Sequence, residues 1–418
     1  MSIAAPTLPR RLRVPRTRFM IVALMCALSG MSYFDRTIMS IAGPVIMKES
    51  HISETEMGTV YSAFLLTYAL FMGPGGALAD RFGARLVLGL GGFLCAVFTG
   101  FTALARRLGE FVVVRMAFGV CTAPLYPATG RLSANWIPPS MGAGVQAVIM
   151  AGAAVGGAFS PVLFAAMIAR FGWRTSFWIA AVLAAVVYGV WYWYVRDYPP
   201  EPGPDVPAPQ RPEKAQWLQL LKDRNMLLIT FSYFCVDYFE YIFFYWIYYY
   251  FGEIRHMGKD ESAVYVTILM LTMVVMTPFG GWLSDRMVAR MGLRRGRRVV
   301  PMAGMLLSAI LLYVGAGGLG TVATVALLSL SFGFCTSIEG PFWATIIEIS
   351  GSQVGAACGI MNTGGNLGGI LAPTLTPLLA ARFGWAAGLY FGSLVILLGL
   401  VAWFFIDPSR RVRLAATE

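Results

Sequence analysis

The chain has 418 residues, of which 57% are hydrophobic and 13% are charged, and its net charge is +11. Soluble domains contain about 45 to 50% apolar and about 25% charged residues, so the composition excludes a soluble protein and predicts an integral membrane protein. Because the basic residues cluster between and outside the apolar runs, the positive charge does not indicate a nucleic-acid partner.

Twelve apolar runs are long enough to cross about 30 Å of hydrocarbon as helices of roughly 20 residues. We number them spans 1 to 12 and predict them at 19–46, 56–78, 84–105, 111–136, 142–168, 174–196, 226–251, 262–283, 299–317, 321–346, 353–380 and 385–406. Span 1 is too long for a cleavable signal peptide, so we expect it to remain as a helix. The prediction is an all-α membrane protein.

These spans divide the chain into five parts. A basic tail at 1–18 precedes six spans at 19–196, and a proline-rich linker at 197–225 leads to six more spans at 226–407 and a tail at 408–418. Proline-rich linkers are extended spacers, so we predict that this one joins two helical bundles on the cytoplasmic side.

Two motifs each occur twice, which indicates an internal duplication. GALADRFGAR begins at Gly76, and its echo GWLSDR begins at Gly281, 205 residues later. ARFGW ends at Trp173 and again at Trp385, 212 residues later, with a proline at the same spacing before it. Duplication inside a membrane is how transporters build alternating access, so we predict two pseudo-symmetric six-helix bundles.

Basic residues and cysteines indicate topology rather than chemistry. Most of the 32 lysines and arginines lie in the tails, the linker and the loops after spans 2 and 8. This positive-inside pattern predicts that both termini are cytoplasmic, with the lipid bilayer as the surrounding partner. All six cysteines lie within predicted spans and lack paired spacing. We therefore expect packing roles for them, no metal and no cofactor.

The GALADRFGAR loop resembles the loop signature of the major facilitator superfamily, and Arg115 with Gly119 resembles another of its motifs. Tyr33-Phe34-Asp35-Arg36 in span 1 is similar to the anion:cation symporter family of organic-anion and sugar-acid permeases. The stretches 126–136 and 340–348 support the same placement. The resemblance implies the twelve-helix major facilitator fold and transport of a small organic anion with protons or sodium, and we expect a monomer.

Few charges lie inside the spans, and each costs about 2.5 to 3.5 kcal/mol at the bilayer centre unless it faces a partner or a cavity. Asp35 and Arg36 diverge by about 100° around a helix. We predict that Arg36 presents its guanidinium to the central cavity as the anion-binding group, with Tyr33 and Arg115 also in the substrate-binding set. We further predict that Asp35 pairs with Arg115 and takes up a proton when Arg115 moves away. The alternatives are a structural pair of Asp35 and Arg36, or a permanent salt bridge.

Two positions depart from the sugar-acid transporters that the chain resembles. Thr122 occupies the place of their helix 4 glutamate, and Ala153 the place of their helix 5 glutamine. Both differences speak against a polyhydroxylated sugar acid. Three carboxylates in the second half are further candidates for proton coupling, namely Asp237, Glu240 and Glu339.

Aromatic and amide side chains in the second half suit a less hydroxylated carboxylate, such as an aromatic acid. The predicted substrate-binding residues there are Tyr241, Tyr245, Trp343, Asn362 and Asn366. Two alternatives stay open. The tyrosines also fit interhelical packing or a membrane interface. The asparagines either line the cavity or bond a neighbouring helix. Glycines in spans 5 and 11 are expected to allow close helix packing.

Charged residues at the inner ends of the spans are predicted to form a cytoplasmic gate. Asp80 and Asp285 end spans 2 and 8, where a carboxylate can meet the N-terminus of a neighbouring helix. Arg81 and Arg286 follow them, and Arg131 at the inner end of span 4 is the predicted relay partner.

The combined prediction is a secondary active transporter that imports an organic carboxylate with a proton, in the cell membrane of a bacterium. Efflux by proton antiport is the alternative, and sodium as the coupling ion stays open. The chain has two histidines, both in predicted loops, so we do not expect a membrane-embedded enzyme. A nutrient sensor would need a signalling appendage, whereas the tails and linker are short.

Overall fold

The computed structural model describes residues 16–137, 139–199, 217–350 and 354–412, and the regular elements in these ranges are all helical. The first half contains α1 (Arg16–Ser50), α2 (Glu54–Phe82), α3 (Ala84–Thr102), α4 (Leu108–Thr122), α5 (Leu125–Trp136), α6 (Pro139–Phe171) and α7 (Trp173–Tyr194). The second half contains α8 (Trp217–Leu220), α9 (Arg224–Tyr249), α10 (Lys259–Met291), α11 (Leu293–Gly315), α12 (Thr321–Thr336), α13 (Glu339–Ser350), α14 (Val354–Phe383) and α15 (Trp385–Trp403). A π-helical turn, Tyr250–Ile254, extends α9.

The helices agree with the predicted spans within the described residues. Span 4 is divided between α4 and α5, and span 10 between α12 and α13. Eleven helical stretches are long and apolar enough to cross a membrane. The remaining one, α14, has 30 residues but is less apolar, because it contains many glycines and two asparagines. Twelve crossings and cytoplasmic termini therefore stay predictions. The short α8 lies in the predicted linker, and most of the tails and linker (1–15, 200–216 and 413–418) lies outside the described residues.

The backbone repeats together with the sequence. Gly83 after α2 and Gly292 after α10 have φ angles of 87° and 78°, in the left-handed region that favours glycine. Gly172 before α7 and Gly384 before α15 repeat this conformation, with φ angles of 76° and 85°. The breaks between α4 and α5 and between α12 and α13 also occupy equivalent places. The duplication predicted from two motifs is thus a duplication of structure.

The helices form two bundles that meet along three pairs of helices. In the first bundle α1 packs on α6, α2 on α4 and α3 on α7, and in the second α9 packs on α14 and α15 and α11 on α12. The pairs α2 with α14, α6 with α10 and α1 with α9 join the bundles. Large apolar side chains cover the periphery. Trp193 and Val322 are each 81% exposed, as expected of a surface that faces lipid.

Glycines set the closest approaches between helices. A Cβ atom on Gly152 of α6 would lie 2.7 Å from the carbonyl oxygen of Cys26 on α1. A Cβ on Gly156 would overlap the backbone of Gly30, and one on Gly368 of α14 would overlap the carbonyl of Phe234 on α9. The predicted packing role of the glycines in spans 5 and 11 is confirmed.

Replacement of Gly156 by alanine is expected to lower the melting temperature of the purified protein. Its new methyl group would overlap Gly30, and overpacking costs about 1 to 3 kcal/mol. The neighbouring Gly157→Ala is the matched control, because its methyl group would meet the Tyr33 ring at an ordinary 3.4 Å. Scanning fluorimetry in detergent compares the two variants. Equal melting temperatures would contradict a packing role for Gly156.

Several contacts join the bundles at the end of the molecule that carries the turn after α1, which we call the latched end. There the Lys48 ammonium pairs with the Glu253 carboxylate at 2.8 Å, and the Tyr249 hydroxyl donates a hydrogen bond to Glu54. The Ser62 hydroxyl donates to the carbonyl of Ile370 at 2.6 Å. At the opposite end, α5 packs on α2 and α3, and α13 on α10 and α14, each within its own bundle.

Candidate functional site

Arg36 lies on α1 at the interface between the bundles. Its Nη2 donates a hydrogen bond to the hydroxyl of Tyr241 on α9. Its Cζ lies 5.6, 5.3, 5.7 and 4.8 Å from the ring centroids of Tyr33, Phe64, Tyr68 and Tyr241. None of the ion pairs within the described residues includes Arg36, and its buried Nε has no hydrogen-bond partner there. Aromatic faces attract a cation only weakly, so this guanidinium can still bind an anion.

An aromatic wall on α9 continues from Arg36 toward the latched end. The Tyr245 ring stacks on Tyr241 at a centroid distance of 5.9 Å and on Tyr61 of α2 at 4.7 Å. Tyr245 is 2% exposed, and its hydroxyl has no hydrogen-bond partner among the described residues. Sequence reasoning missed the α2 part of this site. The recurrence of Tyr61, Phe64 and Tyr68 at helical spacing within one span is the signal that could have found it.

Asp35 is 1% exposed and faces the interior of the first bundle. Its carboxylate interacts electrostatically with three side chains from other helices, namely Arg115 on α4, Cys95 on α3 and Tyr188 on α7. Because Arg36 faces the second bundle, the structure agrees with the prediction that the two adjacent side chains diverge. Asp35 therefore lies on a different side of α1 from Arg36.

The predicted pair of Asp35 and Arg115 interacts electrostatically in this conformation but has no direct hydrogen bond. Within the described ranges, neither carboxylate oxygen of Asp35 has a hydrogen-bond partner, and neither do Nε and Nη2 of Arg115. The Arg115 guanidinium instead lies over the ring of Phe118, its Cζ 5.2 Å from the centroid. Arg115 is also within electrostatic reach of Tyr245. Arg115 therefore interacts with Asp35 through its charge and not through a direct bond.

Thr122 bonds locally in the position of the family's helix 4 glutamate. Its hydroxyl donates to the carbonyl of Phe118 at 2.8 Å and lies 3.2 Å from the Cys95 sulfur. A threonine hydroxyl does not titrate near neutral pH, so it does not replace a carboxylate as a proton carrier.

Three carboxylates of the second bundle form an acidic cluster, which we define as Asp237 and Glu240 on α9 and Glu339 at the start of α13. One oxygen from each lies within 4.8 Å of the others. One oxygen of Glu339 accepts hydrogen bonds from the Tyr233 hydroxyl at 2.8 Å and the Trp343 indole at 3.3 Å. Trp343, predicted to bind substrate, therefore holds Glu339 in place. The cluster brings together carboxylates from two helices that could share a cation or a proton.

The two asparagines of α14 bond to each other and to the first bundle. Asn366 donates to the carbonyl and side-chain oxygens of Asn362 at 2.8 and 3.2 Å, and Asn362 donates to the sulfur of Met72 on α2 at 3.4 Å. In this conformation Asn362 bonds a neighbouring helix, whereas Asn366 bonds within α14.

The predicted gate residue Asp285 meets a side chain rather than a helix N-terminus, which corrects the prediction. Arg297 of α11 donates to Asp285 at 2.5 Å and to Glu348 of α13 at 2.8 Å, so one guanidinium bridges α10 and α13. Sequence reasoning missed Arg297, which lies in the basic loop before span 9. The bridge ties α13 to its own bundle.

Two of the other predicted gate residues lie over aromatic rings of their own helices. The Arg81 and Arg286 guanidinium groups lie over the neighbouring rings of Phe82 and Trp282, with Cζ 5.2 and 5.4 Å from the centroids. Arg131 has an interaction partner of its own. The side chain of Asp80 lies outside what the structure describes.

Comparison with known proteins gives one consistent result. The profile of the Major Facilitator Superfamily matches residues 25–348 and 287–418. The hexuronate transporter of Bacillus subtilis (strain 168) is 30% identical over 400 residues, covering 93% of this chain and 94% of the relative. The probable sulfoacetate transporter SauU of Cupriavidus necator is 29% identical, covering 94% of each chain.

The fold is similar to that of a solved transporter. The crystal structure of a bacterial homolog to the human lysosomal transporter Spinster, inward-facing and unoccupied, superposes with a TM-score of 0.80 at 16% identity. The match covers 94% of this chain and 97% of that one. At this identity the likeness concerns the fold alone.

Proposed function

The chain belongs to the major facilitator superfamily, and from this premise we propose that it imports an organic carboxylate together with a proton by alternating access. Its relatives and fold neighbours are transporters and not enzymes, and the protein is a multi-pass protein of the cell membrane. These points agree with the sequence analysis. The substrate, the coupling ion and the direction are the proposal.

The observation that carries the proposal is the Arg36 guanidinium, held at the bundle interface without an ion-pair partner in the described chain. A planar guanidinium binds the two oxygens of a carboxylate with two parallel hydrogen bonds. The relatives named for hexuronate and sulfoacetate handle molecules that carry carboxylates, which supports an acidic substrate here.

The contacts at the latched end support access of the substrate to Arg36 from the cytoplasm. Positive-inside topology assigns this end to the outer face, since the basic tail and the basic loops after spans 2 and 8 lie at the opposite end. The ion pair of Lys48 with Glu253 and the bond of Ser62 to Ile370 would then close the outer entrance. In this reading, the conformation is closed to the outside, and Arg36 is reached from the cytoplasm.

Proton coupling is assigned to Asp35 with Arg115. A nearby cation favours the ionised form of a carboxylate, and withdrawal of that cation favours the protonated form. Arg115 interacts electrostatically both with Asp35 and with Tyr245 of the aromatic wall. Movement of Arg115 toward a bound anion would therefore release its hold on Asp35 and let that residue take up a proton.

Uptake into proteoliposomes under an imposed pH gradient tests this function. With glucuronate, benzoate and butanoate as probes, we expect accumulation in vesicles with an alkaline interior, and its collapse on addition of an uncoupler. Vesicles with Arg36→Ala protein and protein-free vesicles are the controls, because weak acids also cross lipid in their neutral form. Accumulation that requires an acidic interior would establish antiport instead. Dependence on a sodium gradient would replace the proton as the coupling ion.

A further inference from the structure

The surroundings of Arg36 include carboxylates as well as aromatic rings. Arg36 interacts electrostatically with both Asp237 and Glu240 of the acidic cluster. Asp237 precedes Tyr241, the hydrogen-bond partner of Arg36, by about one turn of α9, which is about 6 Å along the helix axis. The acidic cluster therefore lies close to the Arg36 guanidinium, with Asp237 one helical turn from the tyrosine that bonds it.

The acidic cluster needs positive charge. Its three carboxylates lie within 4.8 Å of one another, in a part of the protein where like charges repel strongly. Two hydrogen bonds reach Glu339, and both go to the same oxygen. Its other oxygen is buried and has no partner among the described residues. An unsatisfied buried carboxylate oxygen close to Arg36 indicates a donor or a cation that arrives with a ligand.

The surroundings of Glu339 match the recognition of a cationic nitrogen. The rings of Tyr233 and Trp343 meet edge to face at 6.3 Å, and both side chains bond the Glu339 carboxylate. Carboxylates combined with aromatic rings bind ammonium groups through charge and through cation–π attraction. Tyr33 and Tyr241 continue the aromatic surface to Arg36.

We propose that the substrate carries a cationic nitrogen in addition to its carboxylate, with the carboxylate on Arg36 and the nitrogen on the acidic cluster of Asp237, Glu240 and Glu339. This inference rests on the proposed function, because it takes Arg36 as the carboxylate site. The separation of the two charged sides suits an ω-amino acid or a betaine with a spacer of several carbons. A second carboxylate on the substrate would meet three acids, which disfavours dicarboxylates.

Matched probes on one carbon skeleton test the inference in purified protein, by thermal shift and calorimetry in potassium buffer. The probes are butanoate, 4-aminobutanoate, 4-(trimethylammonio)butanoate and butanedioate, with the five- and six-carbon series alongside. We expect at least one zwitterion to bind at least about tenfold more tightly than the acid without nitrogen. Glu339→Gln is expected to reduce this ratio to near one, and Asp237→Asn is a second variant should the first not fold. Asp407→Asn, outside the site, is the control.

The outcomes separate this inference from the proposed function. Two results overturn the proposed zwitterionic substrate and leave Arg36 as a carboxylate site. One is equal binding of acids with and without nitrogen, and the other is tighter binding of butanedioate or glucuronate. A preference that appears only with added sodium chloride means that the cluster binds sodium, which also overturns it. If no carboxylate binds, or if Arg36→Ala binds them all equally well, the proposed function fails as well.

Discussion

Replacement of Arg36 by alanine is expected to abolish detectable carboxylate binding. Truncating one partner of a buried, hydrogen-bonded charge pair costs about 2 to 5 kcal/mol, which is about 30-fold to about 4,000-fold in affinity at about 1.4 kcal/mol per tenfold. In the described chain, the Arg36 guanidinium has Tyr241 as its hydrogen-bond acceptor and rings around it, and alanine offers no group that could bind a carboxylate in its place. Calorimetry with the probe that gives the largest thermal shift measures the loss.

Two further variants test which properties of the Arg36 site contribute to binding: its hydrogen bond, its charge and the planar shape of the guanidinium. Tyr241→Phe keeps the ring that lies 4.8 Å from the guanidinium carbon and removes only the hydroxyl, so we expect a loss below about tenfold. Arg36→Lys keeps the charge but not the planar fork, so it should fall between wild type and Arg36→Ala. If Arg36→Ala binds like wild type, Arg36 has the structural role that the sequence left open as an alternative.

The fold was predictable from the sequence because its signals are local. The spans are long apolar runs, and a helix is the simplest way to satisfy the backbone in hydrocarbon. Gly83 and Gly292 lie in the repeated loop motif, and their left-handed conformations explain why glycine occurs at both places. The breaks within spans 4 and 10 were not predicted. Pro124 accounts for the first, whereas the second has no proline between α12 and α13.

The central site was predictable in part, and the offset between the two repeats also predicts which residues of α1 and α9 meet. Arg36 and Tyr241 are 205 residues apart, as are Lys48 and Glu253, and this is the offset of the repeated loop. Equivalent positions of α1 and α9 therefore face each other across the pseudo-two-fold axis. The offset alone could have paired them, once α1 and α9 were placed next to the axis.

Side-chain pairings escaped prediction where they depend on rotamers and on distant elements. Arg115 lies over Phe118 on its own helix, although a direct bond to Asp35 was expected. Asp285 meets Arg297, which comes from the next helix. Long arginine side chains reach several partners from one backbone position, so helical periodicity does not select among them.

The duplicated halves keep an acid at one position and change the residue that follows it. Glu240 of α9 corresponds to Asp35 of α1 at the 205-residue offset, and Tyr241 corresponds to Arg36. The acids then acquire different neighbours. Asp35 faces Arg115 inside the first bundle, whereas Glu240 lies beside two other carboxylates. Because only the first half has an arginine at this position, the difference between the halves supports Arg36 as the anion site. It also places the predicted coupling site, Asp35, apart from the acidic cluster.

Asp35→Asn is expected to remove gradient-driven accumulation while leaving exchange intact. Asparagine has nearly the same shape as aspartate but cannot ionise, so it can take the same place near Arg115, Cys95 and Tyr188 without carrying a proton. In proteoliposomes with an alkaline interior, we expect the accumulation ratio to fall to about one. Counterflow of labelled against unlabelled probe should continue near the wild-type rate, because exchange needs no net proton movement.

Asp407→Asn is the matched control for this experiment. Asp407 is also a carboxylate, but it follows α15, bonds Ser409 at 2.6 Å and pairs with Arg294 at 3.2 Å, far along the chain from Arg36 and Asp35. Its replacement should leave the accumulation ratio unchanged. Undiminished accumulation by Asp35→Asn would contradict the coupling role of Asp35 and move it to Asp237, Glu240 or Glu339. The corresponding amide variants would then show which carboxylate of the acidic cluster carries the proton, because only that variant would exchange without accumulating.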